Sequence, residues 1–254
     1  MTTTPQRDVV VVHSSDLHLG TDSVFSPYAA DPLLLLRGVL EVAKEADADL
    51  VLLAGDTFDH NRQPSDLIEK MAQVLAEYGA PIVILPGNHD PLTPDSVYRR
   101  PEFAIPANVC VLGLTVDEIV EFPRLGLEVW GRAHADYADM APLRDPSPRS
   151  MRWRLAAAHG HYVDEPEEAG RMLGSWLIRR KDLIATDAHY VALGHWNRAT
   201  RVSDEQVNAY YSGSPDLTGA VNLVRFRDSG TVEVTQVPVP CAPADSKAQS
   251  SAVR

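Results

Sequence analysis

Five short polar motifs follow apolar runs in this sequence, and each carries side chains that bind divalent metal ions. Along the chain they are Asp16-Leu17-His18, Gly55-Asp56, Gly87-Asn88-His89-Asp90, His159 and Gly194-His195-Trp196-Asn197. Carboxylate, carboxamide and imidazole groups are ligands for hard or borderline divalent ions. Short apolar runs predict buried strands, and loops at strand ends can bring distant side chains to one point. The motifs therefore predict one shared metal site.

The spacing of these residues suits a pair of ions. Asp16 and His18 are separated by one residue, so in an extended segment they point to the same side and can reach one ion. Asp56 follows a glycine that permits a tight turn, and a carboxylate there can bridge two ions. The predicted ligands that complete the second ion's shell are Asn88, His159 and His195. Two ions about 4 Å apart can hold a bridging hydroxide and clamp a phosphoryl group during hydrolysis.

Two further residues have predicted catalytic roles. A protonated His89 beside the ions can stabilise the charge that develops on phosphorus or protonate the leaving oxygen. Asp90 follows it directly, and a carboxylate partner can orient an imidazole and raise its pKa. For the later histidine two candidates stay open. His159 is favoured because it directly follows an apolar run, and His161 is the alternative.

The first 90 residues predict a βαβαβ unit. Apolar runs predict strands at 9–13, 50–54 and 81–85. Apolar residues at helical spacing predict one helix that opens at Asp31-Pro32, with Asp31 as N-cap, and another that begins at Pro64-Ser65. Such units form parallel sheets, and sites in open α/β sheets collect at the carboxyl ends of the strands.

The second half predicts a sheet with mixed strand directions. Strand candidates lie at 109–112, 127–130, 154–158, 190–193, 208–211, 221–226 and 231–237. A helix is predicted from about Glu167 to Leu183. We expect one catalytic domain over residues 8–238 and a disordered tail over 239–254, which lacks apolar periodicity.

Composition excludes several classes of protein. The 254 residues are 44% hydrophobic and 23% charged, as in ordinary globular proteins, and the net charge is -12. A strongly acidic chain is a poor generic nucleic-acid binder. Two cysteines make no disulfide framework. The first ten residues have no apolar core of signal-peptide length, and no run of 18 or more apolar residues occurs, so we expect neither a signal peptide nor a membrane span. We expect a cytoplasmic protein with no membrane partner.

The ordered motifs resemble those of the calcineurin-like metallophosphoesterase superfamily. The resemblance rests on D-x-H at Asp16, G-D-x-x-D at Gly55, G-N-H-D at Gly87, a later histidine, and G-H-x-[HN] at Gly194. Within it, GDTFD, YVALGH and YSGSP are most similar to bacterial SbcD-type DNA repair exonucleases. The resemblance implies an α/β fold, a four-layered α/β/β/α sandwich of two mixed sheets flanked by helices. It also implies a dinuclear site, with Mn2+ favoured and Fe or Zn2+ as alternatives.

The sequence departs from that family in two ways. The family usually ends its last motif with a histidine that binds the first ion, and here that place is Asn197. Asn197 can bind the ion weakly through its side-chain oxygen or leave that coordination position to water. Little more than one predicted strand pair follows YSGSP, so we expect neither the DNA-capping region of the nuclease relatives nor the segment that docks on a coiled-coil ATPase. We therefore do not expect such an ATPase partner.

Three functional hypotheses follow. The first is a metal-dependent phosphoesterase that hydrolyses phosphodiester bonds, with DNA ends or nucleotides as the leading substrates. The second is the same chemistry on a small phosphomonoester or nucleotide, which the acidic composition favours. The third is a degenerate phosphoesterase that serves as a binding module, supported by Asn197 alone.

Overall fold

The first of two large sheets is built on the predicted βαβαβ unit. In the computed structural model the described residues are 7–21, 31–164, 176–202 and 206–240. The three parallel strands are β1 (Val9–Ser14), β2 (Leu50–Ala54) and β3 (Ile82–Leu85), and the connecting helices are α1 (Leu34–Glu45) and α2 (Ser65–Tyr78). The sheet is completed by β4 (Val109–Val111), β13 (Ala220–Phe226) and β14 (Val232–Pro238), in the order β14-β13-β1-β2-β3-β4.

The second large sheet also has six strands and mixed directions. Its members are β5 (Ile119–Phe122), β6 (Leu127–Gly131), β7 (Trp153–His159), β10 (Tyr190–Gly194), β11 (Thr200–Arg201) and β12 (Ala209–Tyr211). They are arranged in the order β11-β12-β10-β7-β6-β5, and β7 runs parallel to β10. A separate pair of parallel strands is formed by β8 (His161–Val163) and β9 (Leu177–Arg179).

The sheets stack through their apolar faces. Leu52 of β2 and Val83 of β3 share a buried cluster with Leu155 and Ala157 of β7. The opposite face of the first sheet is covered by α1 and α2, which contribute residues such as Leu36 and Ile68 to a second cluster. A third cluster covers the outer face of the second sheet and includes Leu183 from a short helix, Arg180–Ala185. This arrangement of layers confirms the predicted fold class.

Two sequence-based boundaries were wrong. Helix α1 begins at Leu34, and Asp31 instead accepts hydrogen bonds from the N–H groups of Leu33 and Leu34 in the preceding turn. The helix predicted at 167–183 is also wrong over residues 177–179. Residues 177–179 form β9, and helix begins only at Arg180. Hydrogen bonding to β8 decides the conformation there, which helical spacing alone did not reveal.

Residues 165–175, part of that predicted helix, lie outside the described residues, as do residues 241–254 of the predicted tail. At the start of that tail, Val239 is buried and its N–H group donates to the carbonyl of Gly219.

Candidate metal centre

The carboxyl ends of five strands meet at one place. Asp16, Asp56 and Asn88 follow β1, β2 and β3, while His159 ends β7 and His195 follows β10. Ligand atoms of Asp16, His18 and Asp56 lie within 4.8 Å of one another, as do those of Asp56, His159 and His195. Asp56 belongs to both groups. A third group, His18, Asp59 and His89, adjoins the first through His18. The two groups that share Asp56 are adjacent sets of possible ligands joined by one carboxylate.

Asn88 lies with the second group. Its side-chain oxygen is 3.1 Å from His159 Nε2 and 3.2 Å from His195 Nδ1. His159 Nε2 is also 3.1 Å from a carboxylate oxygen of Asp56. Oxygen and nitrogen donors converging at this spacing fit a divalent ion of the hard or borderline kind.

Hydrogen bonds to a backbone carbonyl and to a carboxylate orient two of the histidines. His159 Nδ1 donates to the Ala54 carbonyl at 2.9 Å, which leaves Nε2 to face Asp56. His18 Nδ1 is 3.1 Å from Asp59 Oδ1, which leaves its Nε2 free for an ion. Hydrogen bonds of this kind select the tautomer and orientation of metal-binding imidazoles. Asp59 is thus a positioning residue for His18, and the G-D-x-x-D spacing is the sequence signal for it.

Four of the proposed ligands have unusual backbone conformations. Asp16, His18, Asp56 and His195 have φ angles of 55°, 46°, 51° and 99°. A left-handed conformation is uncommon outside glycine and costs of order 1–3 kcal/mol when it is strained. The loops after β1 and β2 are held together by main-chain hydrogen bonds, including His18 N–H to the Asp56 carbonyl at 3.1 Å. We infer that the fold gives up some stability to bring these ligands together.

Charge is concentrated at the shared carboxylate. Burial would raise the pKa of Asp56, but the charge and hydrogen bond of His159 outweigh it and hold that pKa well below its usual range. Burial also raises the pKa of Asp16, opposed by His159 and reinforced by the Asp56 charge. Two buried carboxylates this close favour a bound cation, which would relieve their repulsion.

The two histidines have opposite electrostatic environments. Burial would lower the pKa of His159, but Asp56 and Asp16 raise it to about 9. Burial and the His159 charge lower the pKa of His195 to about 4. At neutral pH the ion-free protein therefore keeps a proton on His159, and its positive charge balances the carboxylate of Asp56. A bound divalent ion would take over that role.

Metal affinity is expected to rise with pH. His159 must lose its proton to bind an ion, so below its pKa of about 9 each pH unit should tighten binding by up to about tenfold. Manganese titrations at pH 6, 7 and 8 test this, and calorimetry in buffers of different ionisation enthalpy would show about one proton released for the ion at this site. An affinity that stays constant from pH 6 to 8 would contradict it.

Asp90 does not pair with His89 as the sequence suggested. Its carboxylate is buried and accepts hydrogen bonds from Gly87 N–H at 2.8 Å, Phe58 N–H at 3.0 Å and the Tyr98 hydroxyl at 2.6 Å. The His89 imidazole instead donates from Nδ1 to the carbonyl of Asp59 at 2.8 Å. The expected pairing was wrong because adjacent residues in this loop direct their side chains to different partners, one into the core and one to the cleft.

The remaining candidates lie at the edge of the centre. Asn197 is exposed, and its carbonyl accepts a hydrogen bond from Ser214 N–H at 3.3 Å. His161 accepts a hydrogen bond from Trp196 Nε1 at 3.0 Å. Of the two alternatives for the later histidine, the structure brings His159 into contact with Asp56 and Asn88.

An open cleft of about 670 Å³ adjoins the centre, a volume within the usual range for ligand sites. Its lining residues are Asp59, His60, Asn61, Arg62, Asn88, His89, Asp95, Tyr137 and Trp176. Sequence reasoning did not find Tyr137 and Trp176, because neither belongs to a motif and both reach the cleft through tertiary contacts.

A family model for calcineurin-like phosphoesterases matches residues 9–197. The chain therefore belongs to the calcineurin-like phosphoesterase family, and the predicted enzyme class, a hydrolase of phosphate esters, is confirmed at the level of that family.

Curated relatives include components of the SbcCD nuclease. The chain is 27% identical to the SbcD component of that nuclease from Bacillus subtilis (strain 168), in an alignment that covers 81% of this chain and 61% of the relative. It is 24% identical to the Escherichia coli (strain K12) protein of the same name, with 91% and 68% covered. The uncharacterized metallophosphoesterase YhaO of Bacillus subtilis (strain 168) is also 24% identical, with 88% and 56% covered. The chain thus spans about three fifths of the first relative's length.

Solved structures share the fold. A putative 5'-nucleotidase from Staphylococcus aureus superimposes with a TM-score of 0.60 at 15% identity, covering 91% of this chain and 54% of the other. The protein TT1561 of Thermus thermophilus gives a TM-score of 0.55 at 12% identity, covering 90% and 98%. Among the described residues, no helix has the length and apolar character needed to cross a bilayer.

Proposed function

We propose that this chain is a metal-dependent phosphoesterase that hydrolyses phosphodiester bonds at a dinuclear centre. The observation that carries the proposal is the position of Asp56, whose carboxylate belongs to both groups of ligand atoms. In this proposal Asp16, His18 and Asp56 hold one ion, while Asp56, Asn88, His159 and His195 hold the other. Mn2+ is the proposed ion, with Fe and Zn2+ as alternatives, and Asn197 is a proposed additional ligand.

Two bound divalent ions would supply a nucleophile from water at neutral pH and neutralise charge on the phosphate. The protein's own contribution is to hold the ligands in place before binding, through buried imidazoles and the strained loops that carry the carboxylates. The buried Asp90 helps to hold the ligand-bearing loops in place. Its contacts with Gly87 and Phe58 tie the loop after β3 to the loop after β2.

His89 is the proposed catalytic residue on the substrate side. Its side chain is 44% exposed at the cleft, and its ring lies edge-on to His18 with centroids 4.7 Å apart. Because Nδ1 donates to the Asp59 carbonyl, Nε2 is left to contact a phosphate oxygen or the leaving group. The Asp59 carboxylate lies 3.6 Å from the same Nδ1. We assign Asp90 to positioning, through the loop that carries His89.

The proposed function is tested by hydrolysis of bis-p-nitrophenyl phosphate. The purified protein with added manganese should release p-nitrophenol, and EDTA should abolish the release until manganese is restored. A preference for this diester over p-nitrophenyl phosphate supports the proposed substrate class, whereas the reverse preference supports a phosphomonoesterase or nucleotide phosphatase. Hydrolysis of neither compound, together with less than one bound ion per chain, would favour a non-catalytic binding module and reject the proposal.

A further inference from the structure

The cleft beside the metal centre has an exposed aromatic side chain at its rim. Among the described residues, the large apolar side chains that are prominently exposed are Tyr137, Ile184 and Leu217. Of these, Tyr137 lines the same cleft as Asn88 and His89. Its side chain is 63% exposed. Exposing an aromatic ring to water is unfavourable, and a ligand that covers the ring would remove that contact with water.

The loop that carries Tyr137 is anchored to the metal centre at its first end. His134 Nε2 donates to the carbonyl of His159 at 2.8 Å. The main chain of His134 also bonds to the loop after β3, donating to Pro86 at 3.2 Å and accepting from Leu92 at 2.8 Å. The start of the loop is therefore fixed relative to two of the metal-binding motifs.

The second end of the loop is anchored to Trp176. The indole Nε1 of Trp176 donates to the Ala138 carbonyl at 3.0 Å, and its main-chain N–H donates to Asp139 Oδ1 at 2.6 Å. The Trp176 ring in turn lies edge-on to His195, with centroids 5.8 Å apart. Tyr137 is thus an exposed ring on a loop held at both ends, so little ordering is needed when a ligand packs on it.

The charges of the cleft limit what that ligand can be. Its acidic residues are Asp59 and Asp95, and Arg62 is the cation beside them. This balance disfavours a long run of phosphates, which needs several basic residues. A neutral planar group attached to the reacting phosphate can cover the Tyr137 ring and adds no negative charge next to Asp59 and Asp95. Nucleobases are such groups, because each has a π-face that stacks on aromatic side chains.

We propose that Tyr137 stacks on the nucleobase attached to the phosphate that is hydrolysed, so that the substrate is a nucleotidyl phosphodiester. The inference rests on the proposed function and narrows its substrate class. The base would come from a mononucleotide ester or from the end of a single strand, since both present the same stacking surface.

Two diesters with the same leaving group test this inference. One is the p-nitrophenyl ester of thymidine 5'-monophosphate, and the other is methyl p-nitrophenyl phosphate, which lacks a base. Tyr137→Ala should lower kcat/KM for the thymidine ester by about fivefold to 100-fold, the range of base–aromatic stacking, and leave the methyl ester within about twofold. Tyr137→Phe keeps the ring and should behave as the wild type on both.

Ile184→Ala is the matched control, because Ile184 is also exposed, at 41%, but lies outside the cleft. It is on the short helix before the start of β10, whereas the metal centre is at the carboxyl end of that strand. It should leave both rates unchanged. Calorimetric binding of thymidine 5'-monophosphate to the metal-free protein gives a readout that needs no turnover, and Tyr137→Ala should weaken it by a similar factor. Thermal midpoints within about 2 °C of the wild type would show that the variants fold.

The outcomes separate this inference from the function on which it rests. If the wild type hydrolyses the methyl ester but Tyr137→Ala slows both esters equally, or slows neither ester nor the tetrathymidylate strand, the stacking role is rejected and the phosphoesterase stands. If the wild type hydrolyses neither ester, both fail. A parallel assay on tetrathymidylate identifies the source of the base. A lower rate of Tyr137→Ala on the strand, on the thymidine ester or on both supports the inference and shows which substrate uses Tyr137.

Discussion

Asp56→Asn is expected to lower kcat/KM for bis-p-nitrophenyl phosphate by roughly 10³-fold or more, since an ion's stabilisation of the transition state is worth several kcal/mol. Asp56 is the carboxylate common to both groups of ligand atoms, so this one change weakens the binding of both proposed ions. The substitution keeps the shape of the side chain but removes its charge. Bound manganese, measured by elemental analysis after gel filtration, should fall from about two ions per chain to one or fewer.

The matched control for that variant is Asp66→Asn. Asp66 is an exposed carboxylate in the first turn of α2, paired with Lys70 at 3.0 Å. Asp66 belongs to none of the groups of possible ligand atoms among the described residues, so activity and metal content should be unchanged. A loss of activity in Asp56→Asn without any loss of manganese would contradict a bridging role and would leave Asp56 as a substrate-side group.

Gly55→Ala should have the largest effect on stability. An added Cβ would lie 1.9 Å from His159 Nδ1 and 2.4 Å from the ring carbon Cγ. The His159 imidazole is fully buried and hydrogen-bonded to the Ala54 carbonyl, so it cannot move aside without losing its contact with the Asp56 carboxylate. The φ angle of +92° adds backbone strain. We expect a loss of roughly 3–5 kcal/mol in the free energy of unfolding, measured with urea, and loss of the second ion.

Gly79→Ala separates the two causes. Gly79 ends α2 with a φ angle of +76°, but the nearest atom to its added Cβ is 4.0 Å away. This variant carries the backbone strain alone, about 1–2 kcal/mol, and should bind manganese normally. If both glycine variants lost equal stability and Gly55→Ala kept both ions, close packing against His159 would not be the reason that position 55 requires glycine.

Much of the first sheet could be predicted from sequence. The run Leu50–Ala54 and the start of α2 at Ser65 match the structure, because apolar periodicity and Pro64 are local signals. The strand β9 could not be predicted in the same way. Its residues are in extended conformation because they pair with β8, and that pairing depends on segments that meet only in the folded chain.

The sequence by itself determined which side chains could bind metal and which strands carry them, because donor chemistry and strand ends are properties of short segments. The tertiary structure decided how those side chains are used. It joined Asp56 to both ligand groups, turned Asp90 away from His89, and placed Tyr137 beside the cleft. These relations depend on left-handed loop conformations and on contacts between residues far apart in the chain, which no local pattern encodes.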